Sequence, residues 1–219
     1  MIKAIITGAT GMVGEGVLHE CLNHSEVEQV LVINRKPCGV THPKLKEIIH
    51  ADFFDLSAIE HQLVNYNTCF YCLGITSLRM SEEDYNKTTY ILTINFAEIL
   101  LKQNPEMTFC YLSGAGTNGN EQAKSMWVRV KSKTENQLFK MPFKKTYMFR
   151  PGLMHPTKGL KNTQKLYKAI NWMYPFLRLV FPKFVSTLAE LGIAMINAAN
   201  KGYSKNILEV KDIVALAKE

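Results

Sequence analysis

The chain has 219 residues, 47% of them hydrophobic and 21% charged, and a net charge of +7. This is the make-up of an ordinary soluble globular protein, long enough for one domain with a substantial core, and no apolar run reaches the length of a membrane span. The positive excess favours anionic partners, but it is spread over Lys102, Lys124, Lys131, Lys133, Lys140, Lys144, Lys145, Lys158, Lys161 and Lys165 without a basic tail. That spread reads as solvated surface, and with no recognition motif beside it no nucleic-acid partner is expected.

In chain order, KAIITGATGMVGEGVLHECL predicts a buried strand, a glycine turn and a helix. QVLVINRK predicts a second strand, residues 45–50 a third, SAIEHQLV a short helix and TCFYCLG a fourth strand. In YNKTTYILTINFAEILLKQN, Tyr90, Ile91, Ile94, Ala97 and Leu101 recur at helical spacing, which predicts one long helix. MTFCYLSGAG is a fifth strand and loop, SMWVRVKSKTENQLFKM a helix, and KKTYMFRPG a sixth strand stopped at Pro151 and Gly152. Beyond it, helices are expected at AELGIAMINAANKG and near VKDIVALAKE. Apolar strands alternating with helices give an α/β fold, a doubly wound and mostly parallel Rossmann-type sheet with a small C-terminal cap. Residues 1–219 read as a single domain in which 153–219 supply a small cap.

The five cysteines, Cys21, Cys38, Cys69, Cys72 and Cys110, are odd in number and no signal peptide is visible. This points to a reducing compartment, with the cytoplasm as the expected location. Cys69 and Cys72 share a strand in which residues three apart face opposite sides, so they read as buried thiols and no metal site is expected. Residues 169–185, AINWMYPFLRLVFPKFV, are dense in aromatics. They suit a pocket cover or sheet packing, with a weak membrane or hydrophobic-partner contact as the alternative.

TGATGMVG carries the strongest local chemistry. Gly8, Gly11 and Gly14, with Thr10, Met12 and Val13 between them, stand between a strand and a helix, where backbone N–H groups can hold a pyrophosphate. After strand two, Asn34, Arg35 and Lys36 fall where an adenosine ribose would lie. A guanidinium there suits a 2′-phosphate, so NADP(H) is expected over NAD(H). Asp52 and Phe53 follow strand three and suit the adenine side.

The order TGATGMVG, INRK, ADFFD, YCLG, YLSGAG, a helical lysine and RPG resembles the short-chain dehydrogenase/reductase superfamily over nearly the whole chain. It is most similar to atypical members related to Tat-interacting oxidoreductase-like and NAD(P)H-binding epimerase-like proteins. The resemblance implies a carbonyl-positioning Ser113 and a Lys131 that binds nicotinamide ribose. It also implies cofactor contacts from Leu73, Gly74 and Ile75, and from Pro151, Gly152, Leu153 and Met154. Its Tyr-x-x-x-Lys pattern is altered, because this chain has Trp127 where the tyrosine would be.

An indole has no accessible titration and cannot carry a proton. Tyr85, Tyr90, Tyr111 and His155 are weighed as substitutes, His155 being the best placed of the histidines. Lys133 and Glu135 read as helix surface and Asn95 as packing. Three functions remain in view: an NADP(H)-dependent oxidoreductase acting on an unidentified carbonyl or alcohol, a non-catalytic dinucleotide-sensing or partner-binding protein, and an epimerase-like enzyme.

Overall fold

The computed structural model describes residues 1–162 and 173–219. Its strands are β1 (Ile2–Thr7), β2 (Val27–Asn34), β3 (Leu45–Ile49), β4 (Thr68–Tyr71), β5 (Thr108–Leu112), β6 (Lys145–Arg150), β7 (Leu153–His155), β8 (Val185–Thr187) and β9 (Ile207–Glu209). Seven of them form one parallel sheet in the order β3-β2-β1-β4-β5-β6-β9. The expected doubly wound sheet is therefore present. Chain direction across it reverses between β1 and β4, which pair from Ala4↔Thr68 to Thr7↔Tyr71.

Period-2 side-chain alternation sends one strand into two cores. Ala4 and Ile6 of β1 join the cluster under α1 (Met12–Asn23), while Ile5 faces the opposite cluster with Leu31, Tyr71 and Phe109. Both faces are covered, so the strands read as continuous apolar runs rather than alternating ones. The helices α3 (Leu92–Gln103) and α4 (Met126–Lys140) cover the second face, with α2 (Glu82–Asn86) packed against α4. The helices α6 (Leu188–Lys201) and α7 (Val210–Leu216) join α1 on the first. Leu188 packs where a Cβ on Gly16 would stand, so the α1–α6 contact depends on that glycine.

The chain departs from the sequence expectations in four places. The long helix is interrupted by a π turn at Lys87–Ile91 between α2 and α3, an insertion common near functional sites. SAIEHQLV forms only a 3-10 turn at Glu60–Gln62. Three-residue strands β7, β8 and β9 are too short to show a period; β7 pairs with β8, and β9 extends the main sheet beyond β6. Glu135, expected on the helix surface, is 1% exposed and receives Arg150 of β6 at 3.0 and 2.5 Å. Burying a carboxylate is costly unless a cation meets it, and that cation lies 15 residues further along the chain.

Of the aromatic segment 169–185, residues 169–172 lie outside the described residues. The rest forms α5 (Tyr174–Val180) and its flank, which expose Phe176, Leu179, Val180, Phe181 and Phe184. Among the described residues, no helix is long and apolar enough to cross a membrane.

Candidate functional site

The phosphate loop follows β1 at the point where the sheet changes direction, the position at which doubly wound sheets open a crevice. Gly8 has φ +72°, and a side chain there would meet the Cys72 carbonyl at 2.7 Å. The Gly11 amide donates to the Gly8 carbonyl at 2.9 Å, closing the turn. A Cβ on Gly14 would collide with that same Gly8 carbonyl oxygen, so the first turn of α1 sits directly against the loop. No side chain caps α1, and its first amides remain available to an anion.

Two adjoining cavities open beside the loop. One, of about 220 Å³, is lined by Gly8, Thr10, Gly11, Asn34, Arg35 and the β4 exit; the other, of about 540 Å³, lies between Arg35, Asp52, Phe53, Ile75, Thr88 and Leu92. Arg35, Phe53, Leu73 and Gly74 belong to both walls. The fold thus gathers expected residues from four separate stretches. Met12 is instead buried in the core, Gly14 serves packing, Lys36 is exposed, and neither Val13 nor Lys36 lines either cavity.

Asn34 is turned inward and 2% exposed; its Nδ2 donates to Glu47 Oε1 at 2.9 Å. The same oxygen accepts the Cys38 amide at 2.8 Å, so Glu47 shapes the turn that presents Arg35. Asn34 Oδ1 is buried with no partner among the described residues. Glu47, Phe54 and Thr88 escaped the sequence reading. Thr88 reaches the cavity through the π turn, beside Lys87, whose ammonium lies 5.7 Å from the Phe54 ring; helical periodicity gives no signal for that. The glycine cradle, with the uncapped amides of α1 beside it, fits a dinucleotide phosphate.

A second group of residues surrounds the end of β5. Ser113 is 7% exposed, its amide donates to Phe149, and its hydroxyl donates to Thr117 at 3.3 Å. The Trp127 indole covers the loop after it: a Cβ on Gly116, where φ is +97°, would stand 3.3 Å from the ring, and one on Gly114 3.7 Å. Trp127 is therefore packed on the SGAG backbone. One turn along α4, Lys131 Nζ donates to the Leu112 carbonyl at 3.2 Å and lies 5.2 Å from the Tyr111 ring centre. The side chain is half-buried, and its partial withdrawal from water lowers its pKa from the usual 10.5 to about 8, against the opposing pull of Glu135.

The candidate substitutes for the missing tyrosine are arranged less favourably. Tyr111 and Tyr85 are 1% and 2% exposed, and burial holds both phenols above their usual pKa. Tyr90 is covered by Lys133, 4.2 Å from its ring centre. His155 packs at a tilt against Tyr174, ring centres 4.1 Å apart, and burial lowers its pKa. Asn95 is half-buried in α3. The RPG segment does meet the serine loop, since Ala115 donates to the Pro151 carbonyl at 3.0 Å. Gly152 packs against the Phe184 carbonyl, Leu153 is half-buried and Met154 is buried in the core. The five thiols are free; burial pushes Cys72 to about 12 and raises Cys21, Cys69 and Cys110 well above their usual value.

Known proteins resemble this chain in sequence and in fold. Protein FMP52-1, mitochondrial, of Scheffersomyces stipitis is 24% identical over 212 residues, covering 93% of this chain and 91% of its own. The Candida albicans protein FMP52, mitochondrial, is 23% identical over 157 residues, 70% of this chain and 67% of its own. These names overturn the cytoplasmic expectation: reduced thiols and the lack of a membrane span do not separate the cytosol from a mitochondrial location. Among solved structures, ADP-L-glycero-D-manno-heptose-6-epimerase of Helicobacter pylori superposes with a TM-score of 0.66 at 15% identity, over 99% of this chain and 81% of that one. The Bordetella bronchiseptica enzyme WbmF, solved with NAD+, gives 0.67 at 14% identity, over 99% and 76%. These structures share its fold, a dinucleotide-binding Rossmann fold. The profile of the NAD dependent epimerase/dehydratase family matches residues 4–142, more than half of the sequence, and the chain belongs to that family.

Proposed function

We propose that the protein is an NADP(H)-dependent oxidoreductase acting on a small carbonyl or alcohol, with residues 1–219 as one NAD(P)-binding domain and 153–219 as its substrate side. The observation that carries this reading is Arg35, which stands in the walls of both cavities beside the phosphate loop. In it, the α1 amides and the Gly8–Gly14 backbone hold the pyrophosphate. Asn34 lines the ribose side of the smaller cavity and Arg35 pairs with a 2′-phosphate, which favours NADP(H) over NAD(H). Asp52, Phe53, Leu73, Gly74 and Ile75 surround the adenine side. Lys131 binds the nicotinamide ribose, Ser113 orients the substrate oxygen, and the Pro151–Met154 segment closes the nicotinamide end. When bound, the dinucleotide supplies or accepts a hydride.

Stopped-flow measurement of NADPH oxidation across aldehydes, ketones and quinones tests this reading. Enzyme-dependent oxidation with one class supports it, whereas saturable NADPH binding without any oxidation contradicts it. A non-catalytic dinucleotide-binding protein is the second reading. Trp127 favours it, because the indole fills the tyrosine position without tyrosine's chemistry.

A further inference from the structure

We infer that Lys131 Nζ is itself the proton carrier of the carbonyl/alcohol step, replacing the tyrosine whose position Trp127 occupies. The inference rests on the oxidoreductase reading above and assigns the one duty that reading leaves open. It begins from what Lys131 touches. The ammonium has three protons and makes one hydrogen bond among the described residues, to the Leu112 carbonyl, the residue immediately before Ser113. It therefore sits at the exit of β5 with N–H bonds to spare, beside the serine expected to hold the substrate oxygen.

The charged groups around it leave it free to titrate. On α4 itself, Glu135 lies one turn beyond Lys131, but both of its oxygens are taken by Arg150 of β6, which also reaches Glu209 of β9. The carboxylate that would otherwise fix the lysine in its charged form is thus already paired. From β5, Tyr111 offers a ring face; Tyr71 of β4 stacks behind it at 6.0 Å. Tyr85 of α2 also bears on Tyr111, and all three phenols are held protonated by burial. Among the described residues, Glu135 is the anion that bears on Lys131, and it is paired. Desolvation then dominates, and the ammonium loses its proton near pH 8 rather than at the usual lysine value, the range in which a general acid or base is effective.

Trp127 contributes by shape. Lying on Gly114 and Gly116, it holds the serine loop down and walls off the position four residues before Lys131. In the reducing direction a bound NADPH would supply the hydride to the carbonyl carbon, becoming NADP+, and the C=O π pair would move onto oxygen. The Lys131 Nζ–H bond breaks as the new O–H bond forms, and the resulting amine regains a proton from solvent. Oxidation runs in reverse, with the neutral amine taking the alcohol proton.

Two measurements on the full chain test the assignment. The first needs no turnover: competitive acetic-anhydride labelling across pH, read by mass spectrometry, gives the titration of Lys131 against the exposed lysines of the same molecule. Titration near pH 8 is expected, and a Lys131 that titrates with the surface lysines overturns the inference. The second compares wild type with Lys131→Arg and Lys131→Met. Arginine keeps the charge and the ribose contact but cannot release a proton at neutral pH. We expect kcat to fall about 100-fold or more, well beyond any change in NADPH affinity, and the inflection near pH 8 to disappear. The wild-type reduction rate should fall above that inflection and the oxidation rate should rise through it. Turnover with an inflection that survives Lys131→Arg refutes this inference alone. NADPH binding without turnover on any carbonyl or alcohol refutes it together with the oxidoreductase reading.

Discussion

The phosphate loop and helix α4 are both short motifs at the same edge of the sheet, yet they differ in what fixes them. The loop is built from backbone: a positive φ at Gly8, a helix turn pressed on the Gly8 carbonyl at Gly14, and uncapped amides at the start of α1. Helix α4 works through side chains whose partners lie far off in sequence. Lys131 leans on β5, Glu135 on β6, and Trp127 on the loop after Ser113. Backbone geometry announces itself through glycine, because only glycine tolerates it. Side-chain chemistry does not, because a lysine on a surface and a desolvated lysine are the same letter.

That contrast can be broken by substitution. The largest effect should come from the ion pair behind α4. Glu135→Ala leaves Arg150 without its buried partner and should cost about 3–5 kcal/mol in a denaturant titration. A loss under about 1 kcal/mol, the range of surface ion pairs, would return Glu135 to the helix surface. On the loop side, Gly14→Ala forces a methyl onto the Gly8 carbonyl. It should weaken NADPH binding at least a hundredfold by calorimetry and cost about 1–3 kcal/mol of stability, as overpacking does.

Smaller effects sharpen the comparison. Lys131 binds its proton less tightly in the folded chain than in the unfolded one, so between about pH 8 and 10.5 the unfolded chain holds more protons. Stability measured against Lys131→Met should therefore rise with pH across that window, with no such rise below it. A flat difference would show that the lysine is not desolvated. At the exposed face of α5, Phe176→Ser and Leu179→Ser should change folding stability by no more than about 0.5 kcal/mol, since those side chains are 62% and 81% exposed. A larger loss would mean that they pack against something.

Much of the fold was legible because burial on both sheet faces writes continuous apolar runs, as in IKAIIT and VEQVLVIN. The loop and Arg35 were legible for a related reason: they follow directly from strand ends. Three features were not. The π turn that brings Thr88 to the cavity leaves helical periodicity almost intact. Glu47 looks like an outward strand residue until Asn34 and Cys38 are seen to share its oxygen. Glu135 looks exposed until Arg150 arrives from the next strand. Each depends on a contact that no local pattern encodes.

The central claim, that this edge of the sheet holds a phosphate-bearing dinucleotide through Arg35, is tested most directly by calorimetric titration of wild type and Arg35→Ala with NADPH and NADH. Loss of a charge-assisted contact should weaken NADPH binding about 10- to 100-fold and leave NADH affinity nearly unchanged. Equal losses for the two cofactors, or no saturable binding of either to wild type, would contradict the account.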